Sequence, residues 1–136
     1  MGPHDAKRVT AAAHLFDGPP QKDAVSRFLA APGHHLLIAY LEDAPVGFVS
    51  GVEVTHPDKG TEMFLYELGV VSGHRHHGIG TALVEKLVEV ARSKVCYGMW
   101  VLVDDENAAA AATYRKAHGD VESQPLMFSW RFKPPA

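Results

Sequence analysis

The sequence predicts an α/β fold: one domain over residues 1–136, with a mixed, mostly antiparallel sheet, a central parallel strand–helix–strand crossover and helices on both faces. Three observations carry that expectation. Short apolar stretches bounded by Pro and Gly read as strands. Gly78–Arg92 has Ile79, Leu83, Leu87 and Val90 at helical spacing, with Thr81, Glu85, Glu89 and Arg92 elsewhere. That helix lies between two strands, Met63–Val71 and Met99–Val103, which a right-handed crossover would set parallel.

The elements follow in chain order. Residues 5–15 read as helical, their apolar part being Ala11–Ala13 and Leu15. Residues 21–30 read as a short amphipathic helix carrying Val25, Phe28 and Leu29. His35–Leu41 is a strand, Glu42–Pro45 its turn and Val46–Val54 the returning strand of a hairpin. Met63–Val71 is apolar on both faces apart from Glu67, which places it inside the sheet. Met99–Val103 is a short, fully apolar strand. Residues 107–117 form an Ala-rich helix ended by Gly119. Leu126–Phe132 alternates like a last, edge strand, and with Trp130 it would suit a homodimer.

Composition bounds the function. A chain of 136 residues can bury one core without disulfides or a structural metal. Hydrophobic residues at 46% and charged residues at 21% are ordinary globular usage and exclude global disorder. With 13 Lys+Arg against 16 Asp+Glu, the formal net charge is −3. That argues against a nucleic-acid partner held on a broad basic face, and it suits a small cationic or neutral substrate. The single cysteine, Cys96, leaves no intrachain disulfide and no Cys-based zinc site, and it reads as a small buried hydrophobe. The longest apolar run, Leu36–Leu41, is far short of the roughly 20 residues of a membrane-spanning helix. Met1–Arg8 lacks the apolar stretch of a secretory signal. The expectation is a cytoplasmic protein with no membrane partner.

The most informative stretch runs from Glu67 to Leu83. A buried strand enters a glycine-bearing turn, and the turn opens a strong helix. Such a helix start presents unpaired backbone N–H groups and the positive end of the dipole. Glycines let that backbone approach a ligand closely, which favours phosphate. Gly73 to Gly78 has the spacing of a nucleotide-hydrolysing P-loop, but Ile79 stands where the lysine is needed. Gly78-Ile79-Gly80 begins like a dinucleotide fingerprint, but Leu83 holds the third glycine's place. What remains is Arg75-x-x-Gly78-x-Gly80, or else a turn whose glycines serve only tight packing.

The motif Arg75-x-x-Gly78-x-Gly80 resembles the acyl-CoA pyrophosphate loop of the GNAT N-acetyltransferases, Gln/Arg-x-x-Gly-x-Gly/Ala between a strand and a helix. Asp105-Glu106-Asn107, the alanines after them, Tyr114 and Gly119 resemble that family's second signature, an Asn opening an Ala-rich helix that carries a Tyr. The resemblance covers roughly residues 35–132 by element order and implies the GNAT fold, with acetyl-CoA as acetyl donor. It implies that the pyrophosphate lies on Arg75, His76, His77, Gly78, Ile79, Gly80 and Thr81, and that the pantetheine arm pairs with Leu68, Gly69 and Val70. By the same resemblance Asn107 contacts the cofactor, and Tyr114 contacts it and protonates the leaving thiolate. On the residues alone, Asn107 is also a good helix N-cap and Tyr114 a good core aromatic. Many members open with a strand before the first helix, and residues 1–10 show none.

Phe64–Val70 and Cys96–Asp104 look like the matching segments of the aminoglycoside 3-N-acetyltransferases of GNAT type. The substrate class implied is a polyamine sugar antibiotic. Asp104, Asp105 and Glu106 fall where a parallel strand ends, beside the cofactor loop, and would draw a polycation; a solvated acidic loop is the alternative. Asp17, Glu53, Asp58 and Glu62 could join that negative rim. Glu67 is the candidate base and amine contact, because a glutamate in an apolar strand is costly unless it has a task or a structural partner. His74, His76 and His77 read as cationic neighbours of phosphate, and no metal is expected. Two other readings stay open. One is the same chemistry on a polyamine, an amino acid or a protein N-terminus. The other is a non-catalytic acyl-CoA-binding module, against which Glu67 and Tyr114 count.

Overall fold

The computed structural model describes residues 1–75, 77–104, 106–122 and 126–132. His76 and Asp105, two of the residues assigned to the site from sequence, lie outside the described residues. Helices α1 (Ala6–Ala11) and α2 (Lys22–Ala30) precede the sheet, with 3-10 turns at Pro3–Asp5 and Ala13–Leu15. Strands β1 (His34–Leu41), β2 (Ala44–His56) and β3 (Gly60–Val70) follow. A 3-10 turn (Ser72–His74) leads to helix α3 (Ile79–Ser93), then strand β4 (Met99–Trp100) and helix α4 (Ala108–Lys116). The strand order is β1-β2-β3-β4. The first two pairs are antiparallel and β3–β4 is parallel, so the crossover through α3 forms as its sequence predicts.

The β1–β2 turn is tighter than the sequence suggests. Only Glu42 and Asp43 are outside the strands, and both have positive φ, 49° and 72°. A two-residue turn with both φ positive matches the twist of the strands it joins. Pro45 enters β2 beside a register shift at Ala39/Tyr40, the kind of irregularity at which a sheet tolerates proline.

Alternation along the strands splits the core in two. Val49, Met63 and Leu65 face α3 and pack with Leu83, Val84, Leu87 and Ala91. Leu36 and Phe48 face the other way, against Val9 of α1 and Leu29 of α2. Helices thus cover both faces.

Two expectations are corrected. β4 ends at Trp100 rather than Val103, because only Met99 and Trp100 find partners, Met63 and Phe64. Beyond Phe64 the two strands separate, and an extended segment without a ladder is not a strand. Leu126–Phe132 forms no strand either: its alternation is that of a strand, but it pairs with nothing among the described residues. The absence of a first strand agrees with the structure, where Pro3–Ala11 is helical.

Leu87 is fully buried at the centre of the α3 core. Leu87→Ala should therefore lower the unfolding free energy by about 2–5 kcal/mol, read by chemical denaturation.

Candidate active site

β3 is irregular at the point that matters. Its register with β2 shifts between Ser50 and Gly51: Ser50 faces Glu67, while Gly51 faces Leu65. Tyr66 is therefore an extra residue, a β-bulge. The bulge explains how Leu65 and Leu68, three residues apart, both pack on the α3 core. It also turns Glu67 to the opposite face. The Glu67 N–H donates to the hydroxyl oxygen of Ser50 at 3.2 Å, and Ser50 is the buried polar residue of the sheet.

Beyond the bulge the ladder alternation decides where the backbone points. Val71 donates to the Val46 carbonyl at 2.9 Å. In an antiparallel pair such bonded positions alternate with unbonded ones, so Leu68 and Val70 aim their N–H and C=O groups away from β2. That is the side from which β4 has departed. Gly69 faces Phe48, and a Cβ there would stand 2.8 Å from the Phe48 ring. The glycine is required by that close approach.

Between the separated strands lies a cleft of about 490 Å³. From β3 it is lined by Tyr66, Glu67, Leu68 and Gly69, and after β4 by Leu102, Val103 and Asp104. Asn107, Ala110 and Tyr114 of the α4 segment close one side, with Leu15, Asp17 and Phe48 on the other. Glu67, Leu68, Gly69, Asp104, Asn107 and Tyr114, all singled out in the sequence, thus share one cavity. Glu106 is exposed and does not line it. Of the wider acidic set, Asp17 joins the cleft, while Glu53 and Glu62 are engaged elsewhere. Glu53 bonds His35 at 2.7 Å; Glu62 bonds His56 at 3.0 Å and accepts from the Tyr97 hydroxyl at 2.9 Å. Tyr66 is a lining residue that sequence reasoning missed; alternation from the core-facing Leu65 puts it on the cleft side.

The electrostatics suit proton transfer. Burial pushes the Glu67 carboxyl above the usual carboxylate value, and the negative charge of Asp17 pushes it further. Burial raises the Tyr114 phenol too, which keeps it protonated. Asn107 caps α4, its Oδ1 accepting the Ala110 N–H at 3.0 Å. The side-chain amide hydrogens remain available to the cleft it lines. Cys96 has a raised pKa from burial and from Glu53, which disfavours a nucleophilic thiolate.

Next to the cleft is the start of α3. Gly78 is its N-cap, with φ +79° and no capping side chain. A left-handed residue there favours glycine. The N–H groups of Ile79, Gly80 and Thr81 have no intrahelical acceptor. Arg75 Nε donates to the Val70 carbonyl at 3.1 Å and ties this turn to the end of β3. His77 is exposed beside it. Among the described residues no group of His, Cys, Asp or Glu is arranged to hold a metal ion. No helix of the described residues is long and apolar enough to cross a membrane.

The model of the acetyltransferase (GNAT) family matches residues 7–120. Among curated proteins none matches the sequence. Solved structures do match. An aminoglycoside acetyltransferase from an uncultured soil metagenomic sample, in complex with sisomicin, superposes at a TM-score of 0.89 with 18% identity, over 98% of this chain and 93% of that one. Another aminoglycoside acetyltransferase from an uncultured soil metagenomic sample gives 0.84 with 26% identity, over 98% and 95%. The aminoglycoside N-acetyltransferase AAC(6′)-Iy, in complex with CoA, gives 0.75 with 21% identity, over 96% and 91%.

Two outcomes follow from the cleft geometry. Ser50→Ala leaves the Glu67 N–H without its partner and should cost about 1–3 kcal/mol in denaturation. Folding disfavours the Glu67 carboxylate, so this group's contribution to stability is greatest below its ordinary value of 4.5 and is lost as pH rises through its raised folded value. Glu67→Gln should therefore be the more stable protein at neutral pH, with the advantage vanishing in acid; the check is a series of melts against pH.

Proposed function

The chain belongs to the GNAT acetyltransferase family, and we propose that it transfers an acetyl group from acetyl-CoA to an amine of an aminoglycoside, at the 3-N position by its resemblance to those enzymes. The observation that carries the reading is the placement of Glu67, in a bulge, inside a cleft that opens beside the uncapped start of α3. The residues fit the cofactor. Ile79, Gly80 and Thr81 offer free amides at a dipole's positive end, behind a left-handed glycine, which suits a pyrophosphate. Leu68 and the Val70 N–H offer backbone groups at the strand edge that face away from β2, which suits the amide-bearing pantetheine arm, while the Val70 carbonyl is taken by Arg75. When bound, acetyl-CoA supplies the activated acetyl thioester.

The chain's own groups then have separate tasks. An aliphatic ammonium must lose a proton before it can attack, and Glu67 takes that proton, directly or through water. Its raised pKa brings it nearer the working pH than an ordinary carboxylate. The Val70 N–H polarises the acyl carbonyl. Tyr114, kept as a phenol by burial, holds a proton for the departing sulfur. Asp17, Glu67 and Asp104 together give the cleft a negative lining, which raises the local concentration of a polycation.

Thiol release from acetyl-CoA across an amine panel tests the reading. Kanamycin-class compounds should react faster than spermidine or peptides. A preference for spermidine or peptides would replace the aminoglycoside but keep the chemistry. Binding of CoA without turnover on any amine would leave a non-catalytic module. For Glu67→Gln the acidic limb of the pH–rate profile should disappear, with kcat down roughly 10²–10⁴-fold. An unchanged limb would remove Glu67 from the role of base.

A further inference from the structure

Tyr66 has no task in the chemistry described so far, yet it lines the same cleft as Glu67. Alternation from Leu65 puts Tyr66 on the cleft side, and the bulge brings Glu67 to that side as well. Two consecutive side chains therefore face one cavity. Consecutive Cα atoms stand about 3.8 Å apart. A molecule whose nitrogen reaches the Glu67 carboxylate thus lays the atoms beside that nitrogen against the Tyr66 ring.

The ring is exposed and yet held. Tyr66 is 64% exposed. Phe64, two residues earlier on the same side of β3, meets it edge-on with ring centroids 5.7 Å apart. Trp100 of β4 stacks on Phe64 at 4.2 Å. The Trp100–Phe64 pair is a buttress for the Tyr66 ring, and a tyrosine has only two side-chain torsions to lose when a ligand covers it. Around the ring the cleft supplies the carboxylates of Asp17, Glu67 and Asp104. An aromatic face with a few placed charges is the usual lining of a small-molecule site.

We propose that Tyr66 is a specificity-determining residue: its face receives the ring of a cyclic, multiply charged amine while Glu67 takes the proton from a nitrogen on that ring. The inference rests on the acetyl transfer proposed above and narrows its substrate to rings rather than chains. An amino sugar or aminocyclitol with equatorial substituents presents a flat face of C–H bonds, which packs on an aromatic face and leaves water. Its other ammonium groups meet Asp17 and Asp104, or the negative face of the Tyr66 ring itself. A linear polyamine carries the same charges without the flat face, and it loses more torsional freedom on binding.

Steady-state kinetics on the full chain, with calorimetric titration of kanamycin, test this. Tyr66→Ala should raise both KM and Kd for kanamycin roughly 5–30-fold. The KM for acetyl-CoA, the rate with spermidine and the acidic limb of the pH–rate profile should not follow. Tyr66→Leu keeps the bulk without the π face and should weaken kanamycin as Ala does. Tyr66→Phe keeps the face and should bind kanamycin like the wild type. Ala and Leu variants that bind kanamycin as tightly as the wild type overturn the inference. So does a Phe variant as weak as Ala, or a loss shared equally by kanamycin, spermidine and acetyl-CoA, which would make Tyr66 a structural residue. In those cases wild-type turnover of kanamycin leaves the proposed reaction standing. A wild type that neither binds nor acetylates kanamycin overturns both.

Discussion

The cleft of this molecule depends on one extra residue in β3. Without the bulge at Tyr66, strict alternation from Leu65 would place Glu67 toward α3, in the apolar core, and send Leu68 to the other side. With it, Leu68 fills the core and the carboxylate reaches the cleft. The same irregularity accompanies the early divergence of β4, which pairs with β3 at only two positions, Met99 and Trp100. A parallel pair held together farther would have used the backbone groups of Leu68 and Val70 and left no cavity. Ser50 is the device that makes the bulge tolerable, since its hydroxyl takes the N–H that the ladder loses.

The two ends of the sheet treat their charges in opposite ways. At one end Glu53 and Glu62 are each matched to a histidine, and Glu62 to a tyrosine as well. Those groups are spent on structure, as the lowered pKa of Glu62 shows, set chiefly by its hydrogen bond to His56. At the other end Asp17, Glu67 and Asp104 line a cavity with no ion pair or side-chain hydrogen bond among the described residues. Glu67 is held there at an electrostatic cost, from burial and from Asp17. A carboxylate that folding penalises, with no relieving partner among the described residues, is a candidate for a functional role.

Much of this was legible in the chain. The 3.6-residue period of Ile79, Leu83 and Leu87 located α3, and Gly78 marked its start. Asn107 marked the start of α4, and the structure shows it capping that helix as its residue type suggests. Glu67 was conspicuous as the one charge in an apolar strand. The bulge was not legible, because an extra residue leaves no trace in composition and only a two-strand register reveals it. The failure at Val101–Val103 and Leu126–Phe132 has a single cause. Apolar, β-prone residues report a willingness to pair, while a strand requires a partner at hydrogen-bonding distance. Asp17 was noted as acidic but could not be placed, since its approach to Glu67 spans the whole hairpin.

Arg75 shows how a motif residue can hold a turn against the end of a strand. Its Nε holds the Val70 carbonyl at the cleft edge. A guanidinium carries five donors in a rigid fork, so that bond leaves the terminal nitrogens directed elsewhere. The 3-10 turn Ser72–His74 and the Arg75 that follows it are therefore attached to the end of β3 through that side chain. The bond holds the approach to the start of α3 against the strand edge next to Glu67, which the proposed transfer between two bound molecules would demand of its scaffold.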